Sequence, residues 1–328
     1  MSLIYAVLSV HLSCICLQIS AIFTPDFNNW LIERFGRDVQ TTLNSDKLAY
    51  NFFLQSLIRI RHQQKRVFLR GDLGDAGSFG GKAFRSERLH NQPVIFVHGV
   101  SDRARDKPFS AAKHFKENGY EWSELYGTTY ANGAQGNPLQ WTQYAMQCSY
   151  VKQVRALIVA VRLYTGRAVD VIAYSLGVPV SRKAILGGRC VDTGEDLGRP
   201  LTRFIDTFVG IAGPNHGISL QVAGVSIPGC LFSVLPVCNT QTGLYSGMCP
   251  AESAYLQDIN SVQGYEAQNV FSIYSIADQL VGYTVCNKIT TQVPGQRAEK
   301  VFQNENHDDT FYHSYEVQRQ MVLNHIVV

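Results

Sequence analysis

The chain has 328 residues, 45% of them hydrophobic and 17% charged, with a net charge of +3. That balance excludes a disordered chain and is long enough for an enzyme-sized core. Much of the positive charge is local: residues 46–70 carry Lys47, Arg59, Arg61, Lys65, Arg66 and Arg70 against Asp46. The remainder is mildly acidic, which argues against a nucleic-acid binder.

The first 21 residues, MSLIYAVLSVHLSCICLQISA, contain no Lys, Arg, Asp or Glu and end in Ser20-Ala21. This is the pattern of a cleaved secretory signal without its usual basic start, a membrane-anchoring helix being the alternative. Cys14 and Cys16 would leave with it. Cys148, Cys190, Cys230, Cys238, Cys249 and Cys286 remain, with no C-x-x-C pair, which favours disulfides over zinc.

From residue 93 the chain alternates strands and helices. PVIFVHG (93–99) is an apolar run of the kind buried in parallel sheets. FSAAKHFKENG (109–119) reads as a helix, and ELYGTTYA (124–131) as the next strand. Residues 144–165 place Tyr150, Val151, Val154, Leu157, Ile158 and Val161 at helical spacing, with Gly166 suited to the C-terminal cap. AVDVIAYS (168–175) is a strand, and LGVPVSRKAILGG (176–188) the helix after it. Cys148 and Cys190 would then join the helices either side of this strand, while the remaining pairings stay open. Two more strands are expected in RFIDTFVGIAG (203–213) and NVFSIYSIAD (269–278), and a final helix in FYHSYEVQRQMVLNHIV (311–327). The alternation predicts an α/β fold, mainly parallel, with helices on both faces. Residues 213–250, rich in Gly, Pro and Cys without a clear period, read as a disulfide-pinned insertion in a single domain spanning 22–328.

AYSLG (173–177) places a serine where a strand turns into a helix. A nucleophile elbow needs small residues two before and two after the serine, and Ala173 and Gly177 qualify. HGV (98–100) ends an earlier strand, where such folds place an oxyanion-hole loop. The N–H groups of Val100 and of Leu176, directly after the serine, are the candidate donors, and His98 is expected to brace the loop. A serine hydroxyl needs a base, and the chain order of this fold is Ser, then acid, then His. Asp278 ends a later strand, whereas Asp206 is mid-strand and Asp258 lies in a helix. His307 sits in the polar loop NENHDDT, while His313 and His325 fall on the final helix. Ser175, Asp278 and His307 are therefore the candidate catalytic residues, and His216 in AGPNHG is expected to line the cleft.

HGVSDRA, AYSLG, GIAGPNHG, the cysteine-bearing stretch, ADQLVGYTVC, NHDDT and, upstream, GDLGDAGSFGGK (71–82) resemble the class 2 lipase family, α/β-hydrolases among which a cysteine-containing roundworm branch is the nearest likeness. The resemblance runs from about residue 71 to the end. It implies Ser175 as nucleophile, Asp278 as acid and His307 as base, acting on acylglycerols or related lipid esters with no catalytic metal and little or no lid; beside it, the expectation is a secreted monomer without a cofactor. It also implies a join that residues 43–69 interrupt. Tyr50, Phe53, Leu54, Leu57 and Ile58 there lie beside Arg59, Arg61 and Arg66, so this segment is either a role-free insertion, the favoured reading, or a basic amphipathic helix for a lipid surface. Val222, Val225, Ile227, Leu231, Phe232, Val234 and Leu235 would either receive acyl chains or form a small core. The rival functions are a non-catalytic lipid-binding protein on the same scaffold and a thioesterase or peptidase of the same fold.

Overall fold

The computed structural model describes residues 22–44, 73, 76–133, 143–222 and 225–328. The expected signal segment and residues 45–69 of the interrupting stretch lie outside the described residues. The chain enters through α1 (Pro25–Phe35) and α2 (Arg37–Asn44). Thr24 caps α1 by accepting from the Phe27 N–H, and Phe27 and Leu31 are fully buried. Leu43 is fully buried too, and Asn44 Oδ1 accepts from Phe23 N (3.1 Å) and Ser78 Oγ (2.7 Å). Residues 43 and 44 thus belong to the packed body.

There follow β1 (Ser78–Phe79), β2 (Val94–Val97), α3 (Lys107–Glu117), β3 (Leu125–Thr128), α4 (Cys148–Thr165), β4 (Val169–Tyr174) and α5 (Gly177–Leu186). Next come β5 (Ile205–Ile211), the strands β6 (Ser219–Val222) and β7 (Val225–Pro228), α6 (Ala254–Asn260) and β8 (Asn269–Ser275). The chain ends through β9 (Thr284–Val285), β10 (Lys288–Ile289), β11 (Ala298–Phe302), α7 (His307–Tyr312) and α8 (Tyr315–Asn324).

Seven strands form one sheet in the order β1-β3-β2-β4-β5-β8-β11, parallel except for β1. Strand side chains alternate between two apolar layers. Ile95, Val97, Val171 and Ala173 pack under α4 and α5, while Val94, Phe96, Ile172 and Tyr174 pack against α3 and α8. Each fully buried aliphatic side chain contributes about 1.5–3 kcal/mol, so α4 is held by the face carrying Val151, Val154, Leu157, Ile158 and Val161. Gly166 ends that helix in the left-handed conformation, its N–H on the Arg162 carbonyl. This is the mainly parallel α/β sheet with helices on both faces that the alternation predicts.

Three disulfides join Cys148 to Cys190, Cys230 to Cys238 and Cys249 to Cys286. The first links the start of α4 to the turn after α5. The second lies within the aperiodic stretch and the third ties its end to Cys286 beside β9; the stretch also contains the antiparallel pair β6–β7, which no sequence period announces. The expected final helix is two helices. Ser314 Oγ and Gln318 Nε2 both donate to the Phe311 carbonyl, so side chains take over the bonding where the helical ladder breaks. His307 is consequently not in a loop before the helix but the first residue of α7, which Asn306 caps by accepting from the Asp309 N–H.

Candidate active site

β4 delivers Ser175 to the carboxyl edge of the sheet. The residue has φ +52°, a left-handed conformation that a side-chain-bearing residue holds only when its surroundings fix it. The bonds that do so are Ser175 N–H to the Ile211 carbonyl (2.8 Å) and Val178 N–H to the Ser175 carbonyl (2.9 Å). A Cβ on Gly177 would sit 2.3 Å from the His98 carbonyl oxygen, so only glycine fits there. The preceding small position tolerates a methyl group: Ala173 is fully buried in the apolar layer.

The turn after β8 carries Asp278, three residues past the strand's last residue. Its Oδ1 accepts from the N–H groups of Leu280 (2.9 Å) and Val281 (3.0 Å), and its Oδ2 lies 2.7 Å from His307 Nδ1. Burial alone would raise the carboxyl's pKa. The hydrogen bond and charge of His307 with the two backbone N–H groups outweigh that and hold it below the ordinary carboxylate range. An ionised Asp278 accepts from Nδ1–H of His307 and so turns Nε2 toward Ser175 Oγ, 2.9 Å away. All three side chains are more than nine-tenths buried.

The other candidates have partners elsewhere. Asp206 pairs with His325 (2.9 Å), Asp258 with Lys183 (2.7 Å) and His313 with Glu305 (3.0 Å). His98 stacks on Tyr130 (4.2 Å between centroids), accepts from the Tyr130 N–H (3.0 Å) at Nε2, and donates from Nδ1 to the Gly99 carbonyl (2.7 Å). It does brace the loop leading to Val100. His216 does not line the cleft: it turns to Glu252 (3.4 Å), and Pro214 of the same loop faces the cavity instead.

Ser175 and His307 open on a cavity of about 430 Å³. Val100 and Leu176 line it beside the serine, and its apolar wall is Pro214, Ile218, Val237, Leu244, Leu280 and Val281. None of the last five was singled out as a cleft residue by the sequence. They come from separate segments brought together by β6–β7, the disulfides and the Asp278 turn. The exposed Ile227, Phe232, Val234 and Leu235 form neither wall nor core, while the side chains of Val222 and Val225 lie outside the described set. The cavity also has a polar group, Ser101, Asp102, Lys107 and Asp308. Burial pushes the Asp102 carboxyl up to about 6 despite Lys107 at 3.5 Å. Among the described residues one group has metal-ligand spacing, Cys148, Cys190 and Asp192, and its two sulfurs are bonded to each other.

The family described as Lipase (class 2) matches residues 91–320, well over half the chain. No curated protein matches. Among solved structures, the mature Bacillus licheniformis lipase BlEst2 is similar at 14% identity and a TM-score of 0.48, over 75% of this chain and 97% of that one. Aspergillus fumigatus lipase B is similar at 13% identity and 0.48, over 76% and 56% respectively. A sugar hydrolase from Lactococcus lactis is similar at 12% and 0.44, over 75% and 92%. Identities this low carry nothing about substrate. The family match does not depend on them: this chain belongs to the class 2 lipase family.

Proposed function

We propose that this chain is a secreted serine lipase or carboxylesterase that works through an acyl-enzyme. The observation that carries the reading is the hydrogen-bonded line from Asp278 through His307 to Ser175, ending at an apolar cavity. His307 Nε2 takes the Ser175 proton as Oγ attacks the ester carbonyl, and the ionised Asp278 stabilises the imidazolium that forms. The oxyanion is received by the N–H groups of Val100 and Leu176. Leu176 caps α5, so its N–H belongs to the first turn, where no helical acceptor exists. The alcohol leaves with the proton from His307. Water then attacks the acyl-enzyme through the same base and frees the acid.

Three disulfides support an oxidising destination. Among the described residues no helix is long and apolar enough to cross a membrane. Work at a lipid–water interface is supported by the cavity's surroundings. Residues 217–251 contain no Lys, Arg, Asp or Glu. The loop closed by Cys230–Cys238 exposes Phe232 (71%) and Val234 (82%) while Val237 of the same loop lines the cavity.

Ser175→Ala is expected to lower hydrolysis of a p-nitrophenyl ester by several orders of magnitude, with a fluorophosphonate probe labelling the wild-type protein at Ser175. Wild-type rates in the variant would sink the assignment. A folded wild-type protein that binds lipid and takes no label would be the non-catalytic binder.

A further inference from the structure

The cavity wall is apolar on one side, yet three ionisable side chains gather at its other end. Lys107 Nζ, at the first turn of α3, stands 3.5 Å from Asp102 Oδ2 and 3.5 Å from Asp308 Oδ1, and all three residues line the cavity. Asp102 is nine-tenths buried and its Oδ2 accepts no hydrogen bond, its cation being at the long end of ion-pair range. Burying charge against an apolar cavity without full hydrogen bonding is costly. A group that supplied the missing hydrogen bonds would offset that cost.

The position of this cluster relative to His307 says which part of a substrate would meet it. Asp308 follows His307 in the chain, and Tyr174 O–H donates to Asp308 Oδ1 (2.7 Å) and to the His307 carbonyl (3.3 Å). Resting on the hydrolase reading above, the leaving oxygen must lie within reach of His307 Nε2, since that atom returns the proton to it. The alcohol part of the ester therefore extends toward the side of the cavity that His307 and Asp308 occupy, and the acyl part toward Pro214, Ile218, Val237 and Leu244. We infer that Asp102, Lys107 and Asp308 form an alcohol-side subsite for a neutral alcohol bearing further hydroxyl groups, as in a partial ester of a polyol.

The charge pattern selects that chemistry. Two carboxylates flank one ammonium, so an anionic head group such as a phosphate meets net repulsion. A hydroxyl group can donate to Asp102 or Asp308 and accept from Lys107, as a neutral polyol requires. A hydrocarbon alcohol would cover the same charges and return no hydrogen bond, the situation in which a polar site discriminates most strongly.

The test compares kcat/KM for glyceryl monobutanoate and methyl butanoate, which share an acyl chain and remain in solution. The ratio is measured within each protein, so a change in the folded fraction cancels. Wild type is expected to prefer the glyceryl ester by about tenfold or more, as one or two charge-assisted hydrogen bonds allow. Lys107→Met and Asp308→Asn should each reduce that ratio by about tenfold. A wild-type ratio near one, or a ratio that neither variant moves, overturns the subsite while leaving the hydrolase intact. Hydrolysis of neither ester by the wild-type protein overturns the hydrolase reading and the subsite with it.

Discussion

The elbow around Ser175 and the stretch from Gly213 to Pro250 reach the same cavity by opposite means. At the elbow every position is set by close packing: Ser175 is held left-handed, Gly177 lies against the His98 carbonyl, and Ala173 is sealed in the core. The stretch has few regular elements and is pinned instead by Cys230–Cys238, Cys249–Cys286 and single backbone bonds such as Ser219 N–H to Val281 O and Met146 N–H to Thr242 O. Chemistry that needs tenths of an ångström sits on the packed side. Much of the apolar wall of the cavity, Ile218, Val237 and Leu244, is built from the pinned side, between these fixed anchors.

If packing sets the elbow, one methyl group should break it. Gly177→Ala places a Cβ 2.3 Å from the His98 oxygen and must displace the loop that carries Val100. Loss of a well-aimed oxyanion donor costs about 100- to 1,000-fold in kcat, so a fall of that size on a soluble ester is expected. A near-normal kcat would mean the loop yields freely.

A second measurement probes the cost of charge on the packed side. The Asp102 carboxyl is pushed by burial to about 6, above its ordinary 3.8. The folded state therefore holds that proton more tightly, and stability is lost as pH rises from about 4 through 6. Asp102→Asn, which leaves Lys107 paired with Asp308, should be more stable than wild type at pH 8 by about 2–3 kcal/mol. The gap should close below pH 4, as denaturant unfolding at the two pH values would reveal. An equal gap at both would place the effect elsewhere.

The smallest effect is expected on the pinned side. Replacing Phe232 and Val234 together by serine should lower activity on emulsified triglyceride by about tenfold, as the loss of two exposed apolar anchors predicts. Rates on a soluble ester show whether the loss is specific to the interface; an equal fall on both substrates would remove the loop from lipid docking.

The sequence made the sheet legible because its strands are short apolar runs separated by helices with 3.6-residue periodicity. The Ser175 elbow was legible because a small residue on each side of a serine has a steric reason. Asp278 and His307 followed from chain order, although the helix beginning at His307 was hidden by the polar NENHDDT composition. What periodicity cannot reveal is proximity among aperiodic segments. Ile218, Val237, Leu244, Leu280 and Val281 share a wall only because disulfides and the Asp278 turn bring them together. Asp102 and Lys107 lie two and seven residues past HGV in a charged stretch, but nothing in the sequence tied them to Asp308 across the cavity. His216 misled because its loop does reach the cavity, through Pro214 rather than through the histidine.

Tyr174 connects these two kinds of order. It immediately precedes Ser175, and its hydroxyl reaches the carbonyl of His307 and the side chain of Asp308. Its ring also contacts those of His307 and Phe311 at 5.1 and 4.9 Å. Ser175 and His307 lie 132 residues apart in the chain, yet the residue next to one grips the backbone of the other. The phenol thus serves as a spacer of fixed length, so the 2.9 Å gap between Ser175 Oγ and His307 Nε2 is gauged by a side chain outside that pair.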